Sequence, residues 1–191
     1  MALGAVGFAP APMSHFDNLY PTANYSPSCG DGAAVNCQAD GTYHSFYIHS
    51  SVPSLFRTGL RAAFNDLGTT DIDTVELTWS DFNQTYDDVY IYGLQLGNFT
   101  AGRAICRYAV NTRVCNAWRM ELDTEALPSG YEFAKALTYH EGLHTVGMTH
   151  GGNAAPAQTD TDADLGCLRT PVVSGSRFIG NHNINQINAF Y

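Results

Sequence analysis

Residues 140–150 read HEGLHTVGMTH, and the reading of this stretch decides how the rest of the chain is placed. It gathers three of the seven histidines, one glutamate and two glycines. On a helix, residues four apart share a face. His140 and His144 can therefore offer imidazole nitrogens to one ion at the roughly 2.0–2.1 Å that zinc requires. Gly147 stands three residues past His144, where a helix commonly ends on a left-handed residue that glycine adopts without a side-chain clash. The chain can then turn back and bring His150 to the same ion. Three neutral ligands leave one coordination position for water, the arrangement of a catalytic zinc rather than a structural one. Glu141, beside the first ligand, is expected to face that water as general base. At this chain's own His and Glu frequencies, H-E-x-x-H arises by chance in roughly 1% of such sequences, and the added Gly and His lower that a few hundredfold.

Upstream of the motif, Phe133, Leu137, His140 and His144 recur at four, three and four residues, so the histidines continue a core-facing stripe. The spacing predicts a helix from near LPSGYEF (127–133) into the motif. A second helix is predicted over PSLFRTGLRAAFNDLG (53–68), with Pro53 near its first turn, Gly68 at its end and Phe56, Leu60, Ala63, Phe64 and Leu67 on one stripe. Alternation predicts strands at TYHSFYIHS (42–50), TVELTWS (74–80), RAICRYAV (103–110) and CNAWRMELD (115–123), and the denser apolar run DDVYIYGLQ (87–95) suits an interior strand. Residues 151–166 read as a loop. NHNINQINAFY (181–191) reads as a short terminal helix with Ile184, Ile187 and Phe190 or Tyr191 on one side.

The 191 residues suffice for one domain with a real core, and 45% hydrophobic against 14% charged residues suits a globular chain. A net charge of −9 with no basic residue before Arg57 leaves no broad phosphate-binding face, so nucleic acid is excluded as the expected partner. No apolar run approaches the roughly 20 residues of a membrane helix, so no membrane insertion is expected. Residues 1–40 read as an N-terminal extension whose start, MALGAVGFAPAPM, is either the remnant of a secretion signal or a flexible arm. Cys29 and Cys37, and Cys106 and Cys115, lie close in sequence and favour two short disulfide loops in an oxidising, extracellular setting. Cys167 is then left over, as a buried small hydrophobe or a competing partner.

Other polar groups carry weaker signals. Asp160, Asp162 and Asp164 resemble the start of a calcium loop, with a solvated acidic loop as the other reading, so Ca2+ enters only as an alternative second ion. His15, His44, His49 and His182 lack metal spacing and read as surface or hydrogen-bonded strand residues. Asp87 and Asp88 read as a turn.

His140, Glu141, His144, Gly147 and His150 match the long zinc motif of the metzincin metallopeptidases, and the surrounding order resembles the matrixin branch over roughly residues 42–191. The resemblance implies an α/β (α+β zincin) fold: a five-stranded, mixed, twisted sheet with an antiparallel edge strand, packed on two long helices, and a small C-terminal lobe ending in a helix. It implies an upper subdomain over 41–150 and a lower one over 151–191. The edge strand, here Arg103 to Ala109, is implied to pair with an extended substrate peptide. Metzincins carry a methionine in a tight turn beneath the zinc. Met148 is the last methionine here and lies inside the motif, so the resemblance puts Val172 or Val173 of TPVVSGS at that place. Thr170 to Ser174 would wall the pocket for the residue after the scissile bond.

The sequence thus points to a secreted, monomeric, zinc-dependent endopeptidase acting on protein or peptide substrates, with one catalytic Zn2+ on His140, His144 and His150 and Glu141 as general base. The alternative is a zinc-containing binding or attachment module of the same fold with weak or lost turnover.

Overall fold

The periodic segments assemble into one sheet flanked by helices. A computed structural model describes residues 16–20, 29–32, 37–97, 100–125 and 130–191. The chain start at residues 1–13, His15 and the first residues of LPSGYEF lie outside these. Strands β1 (Gln38–Ala39), β2 (Tyr43–Ile48), β3 (Asp73–Glu76), β4 (Val89–Leu94), β5 (Gly102–Ala109) and β6 (Val114–Asp123) accompany helices α1 (Ser54–Leu67), α2 (Tyr131–His144) and α3 (Asn181–Phe190). The pairs β3–β2, β2–β4 and β4–β6 are parallel, β1 adds a parallel pair at the start of β6, and β5 runs antiparallel to β6.

The sheet has six strands where five were expected. The sixth, β1, is two residues long and has no alternation to announce it. It is fixed from outside itself: Cys37 is bonded to Cys29, Gln38 N–H donates to Arg113 O at 2.9 Å, and Ala39 N–H donates to Tyr191 Oη at 3.0 Å. The second disulfide joins Cys106 to Cys115, so both pairs are the ones the spacing favoured. Cys167 is buried and unpaired.

In α1 the stripe Phe56, Leu60, Ala63, Phe64 and Leu67 is buried, as a 3.6-residue period requires. Strand β4 is interior. Val89 and Ile91 face the helices without exposure, while Tyr90 and Tyr92 join Tyr47 and Phe82 in a row of rings 5.3–5.9 Å apart on the other face. Strand β3 ends at Glu76, short of the expected Ser80. Thr78 Oγ1 bonds Ser80 Oγ at 2.8 Å and reaches the Asp81 carboxylate, and the N–H groups of Asp81 and Phe82 close on Thr78 O at 3.1 and 3.0 Å. These local side-chain bonds offer the backbone a turn in place of the ladder. Helix α2 is held against α1 by Tyr139, whose hydroxyl donates to Ala62 O at 3.2 Å and contacts the Asp66 carboxylate. At the chain end it is Tyr191, not Phe190, that turns inward: its hydroxyl donates to Val146 O at 2.9 Å, while Phe190 stays exposed.

Two polar residues of the sheet do more than the sequence reading gave them. Asp88 stands in the bend before β4 as expected, but it is buried, and its Oδ2 accepts from Ser45 N and Ser45 Oγ, both at 2.8 Å. His44 is a hydrogen-bonded strand residue as expected and fully buried, with Nδ1 3.5 Å from Asp88 Oδ1 and Nε2 2.8 Å from Thr145 Oγ1. Because Thr145 Oγ1 gives its own hydrogen to Gly142 O at 2.7 Å, His44 Nε2 must be the donor. The network ties β2 and β4 to the end of α2. Burial alone would raise the Asp88 carboxyl, but His44 and the two Ser45 donors together hold it below its ordinary value of 3.8.

Asp88→Asn should therefore cost about 3 kcal/mol at neutral pH, since the amide cannot accept on both of its terminal atoms. At roughly 2–4 °C per kcal/mol, Tm should fall by about 6–12 °C. A carboxylate with a depressed folded pKa contributes stability above its unfolded value and loses it as pH falls through the folded one. The difference in Tm between native and variant should thus shrink below the ordinary value of 3.8. A constant difference across that range would rule the network out as its source.

Candidate metal centre

Helix α2 carries His140 and His144 one turn apart, and the chain after it returns His150 to them. The return depends on Gly147, whose φ of +90° lies in the left-handed region. A Cβ there would also sit 3.1 Å from Cys37 O, so a side chain is refused on two grounds. The three imidazoles converge: Nε2 of His150 lies 3.0 Å from Nε2 of His140 and 3.1 Å from Nε2 of His144. They form a cluster that could hold a metal ion.

The partners of the other ring nitrogens decide what this convergence means. His140 Nδ1 lies 2.8 Å from Cys167 O, and His144 Nδ1 lies 2.8 Å from Met148 O. A carbonyl oxygen only accepts, so each Nδ1 carries the hydrogen and each Nε2 presents a lone pair. Burial, then the neighbouring His150 imidazole, pushes His140 down to about 3. Burial also sends His144 well below its ordinary range, and it lowers His150 against the pull of Asp160. Two lone pairs and a third imidazole nitrogen thus converge on one point, the donor set a cation would need. Tetrahedral zinc at its usual bond length places ligand nitrogens about 3.3 Å apart, close to what is seen. The donor set fits the ion.

Glu141 lies beside the triad and is 5% exposed; burial raises its carboxyl to about 8. It lines a cleft of about 350 Å³ together with His140 and His150, residues 100–102 at the start of β5, Phe133 and Leu137 of α2, and residues 170–172. Gly102 is its closest constraint. A Cβ at that position would fall 2.9 Å from both Cγ and Oε1 of Glu141, inside any allowed contact. Gly102→Ala should therefore displace the carboxylate without unfolding the chain. In the reaction proposed below, a shift of about 1 Å costs on the order of 10²-fold in turnover. Metal content should stay native, and a native rate in this variant would show that Gly102 does not govern Glu141.

The outer side of β5 is only partly free. Gly32 N–H donates to Cys106 O at 2.8 Å, and Ala109 N–H donates to Asp31 Oδ1 at 2.8 Å. Upstream of Cys106 the strand has no partner on that side among the described residues. Along its inner side, β5 is fastened to β6 by Glu121, which is 1% exposed and meets Arg119 Nε at 2.6 Å, Tyr92 Oη at 2.9 Å and the Arg103 guanidinium.

The other residues that the sequence singled out lie partly around this cleft and partly away from it. Val173 is 43% exposed, and Val172 lines the cleft with Thr170 and Pro171. The residue of this region that touches His140 is Cys167, through its carbonyl. The aspartates of DTDAD are not gathered as a calcium ligand set among the described residues. Asp160 Oδ1 accepts from Gly152 N at 2.7 Å and Asp162 Oδ1 from Asp164 N at 2.9 Å, so their carboxylates satisfy backbone donors in tight turns. His182 is buried in α3, with Nε2 2.8 Å from Asn18 Oδ1, and His49 Nδ1 lies 2.9 Å from Ser51 Oγ.

No protein-family model and no curated protein matches the sequence. Among solved structures, two of myroilysin are similar to the chain. In one the identity is 10% and the TM-score 0.39, over 68% of this chain and 54% of the other. The second has 10% identity and a TM-score of 0.37, over 65% and 55%. The match therefore spans about half the length of those proteins.

Proposed function

We propose that the chain is a zinc-dependent endopeptidase of metzincin type, with a catalytic domain whose upper part runs over 41–150 and whose lower part runs over 151–191. The observation that carries this reading is the meeting of three imidazole Nε2 atoms, each within 3.1 Å of a neighbour, beside a buried carboxylate that lines an open cleft. His140, His144 and His150 would hold the ion, which when bound polarises a peptide carbonyl and makes water nucleophilic near neutral pH.

The chain's own groups do the rest. Glu141 takes the proton of the attacking water and hands it to the departing amine nitrogen. The outer edge of β5 beside the cleft, without a partner upstream of Cys106 among the described residues, orders an extended peptide by strand addition, which suits substrates of varied sequence. Phe133, Leu137, Pro171 and Val172 favour an apolar side chain next to the scissile bond. Two disulfides support an extracellular setting, and among the described residues no helix is long and apolar enough to cross a membrane.

A zinc-holding attachment module is the second reading, favoured by the absence of any methionine after the third histidine. Metal analysis joined to a cleavage assay on an unfolded protein separates the two. The endopeptidase gives one zinc per chain and cleavage that stops on chelation and returns with added zinc. Bound zinc with no cleavage leaves the attachment module, and a chain without metal removes both.

A further inference from the structure

We propose that the segment Phe16–Tyr20 is part of the metal centre, with Asn18 as the positioning residue for His150; this rests on the zinc reading above. His150 lies beyond the end of α2 and past a glycine hinge, so the helix does not fix it. What brackets it is a piece of chain from the far N-terminal side. Asn18 is fully buried. Its backbone O accepts from Thr149 N at 2.7 Å and Thr149 Oγ1 at 2.9 Å, and its Nδ2 donates to Thr149 O at 2.9 Å. Both backbone polar groups of the residue preceding His150 are thereby held by one side chain and its own carbonyl.

The neighbours of Asn18 extend the clamp to both sides of His150. Tyr20 N–H donates to Gly147 O at 2.9 Å, while Asp17 and Ala155 exchange backbone bonds of 3.0 and 2.7 Å. The segment is in turn anchored on α3. Gln186 Nε2 donates to Phe16 O at 2.9 Å, Gln186 Oε1 accepts from Asn18 N at 3.1 Å, and His182 Nε2 lies 2.8 Å from Asn18 Oδ1. Phe16 and Leu19 lie in the same apolar core as α2 and the sheet. Asn18 touches neither the ion nor substrate. It sets where the third imidazole stands, as groups behind a metal ligand do.

The test uses the whole chain and zinc alone. Asn18→Asp keeps the shape and the acceptor toward His182 but removes the donor to Thr149 O. Zinc affinity, measured by competition with a chromophoric chelator, should fall about 10–100-fold. The absorption of the cobalt-loaded protein should move away from its native four-coordinate form. In a His150→Ala background the same change should alter affinity by less than about twofold, because the two effects run through one ligand. Equal losses in both backgrounds, or native affinity in Asn18→Asp, would overturn the proposal. If Asn18→Asp does not fold, Thr149→Val removes only the Oγ1 bond and should weaken zinc severalfold; unchanged affinity there overturns it equally. Failure of the native chain to take zinc sinks the metal reading itself, whereas native zinc binding with an indifferent Asn18 sinks only the clamp.

Discussion

Glu141→Gln is expected to bind zinc as the native chain does and to lose about 10²–10⁴-fold in peptide hydrolysis. The amide has the size of the carboxylate, so the contact with Gly102 and the burial of residue 141 are kept. It cannot accept and return a proton. Because Glu141 is not among the converging groups, the proposed ligands of the ion are untouched. The measurement is turnover of an unfolded protein at matched zinc content, with the variant purified apart from host proteases. A native rate would remove Glu141 from the mechanism and leave the metal reading standing.

The second large effect belongs to His144. Its Nδ1 is spent on Met148 O at 2.8 Å and its Nε2 faces His150 at 3.1 Å, so His144→Ala would remove one of the three proposed ligands and leave an ion held by two. A ligand present at about 1,000 times its Kd stabilises the folded state by about 4 kcal/mol. For a chain of this size that corresponds to a rise in Tm of about 8–16 °C on adding zinc. In His144→Ala the rise should vanish and the bound metal should fall below one ion per chain. Persistence of the full zinc-induced shift would place the ion elsewhere.

How much of this was legible depended on whether the signal was local. The stripe of α1 and the four-residue step from His140 to His144 are periodic along the chain, so the helical frame could be read. The disulfides could be read because both loops are short. The bend at Asp88 could be read, but not its burial, because its partners Ser45 and His44 lie on another strand. Strand β1 is made by contacts with Arg113 and Tyr191. Cys167 seemed a leftover thiol, yet its carbonyl orients His140, and no side-chain pattern reports a carbonyl. Asn18 fell in a stretch without periodicity, and the role proposed for it depends on Thr149, 131 residues further along the chain. Local order announces elements, and long-range hydrogen bonds assign tasks.

Residues 31 and 32 cover the outer edge of β5 from Cys106 onward. A peptide laid along that strand beside Glu141 would run out of track at Cys106, where Gly32 already occupies the carbonyl. In the proposed peptidase the sheet edge would then be a dock with a buffer at one end: docking would be short on the β5 C-terminal side, and the rest of the substrate would leave the surface there. Both partners in that contact are themselves tied down, Gly32 standing between the bonded Cys29 and Cys37 in sequence and Cys106 being bonded to Cys115.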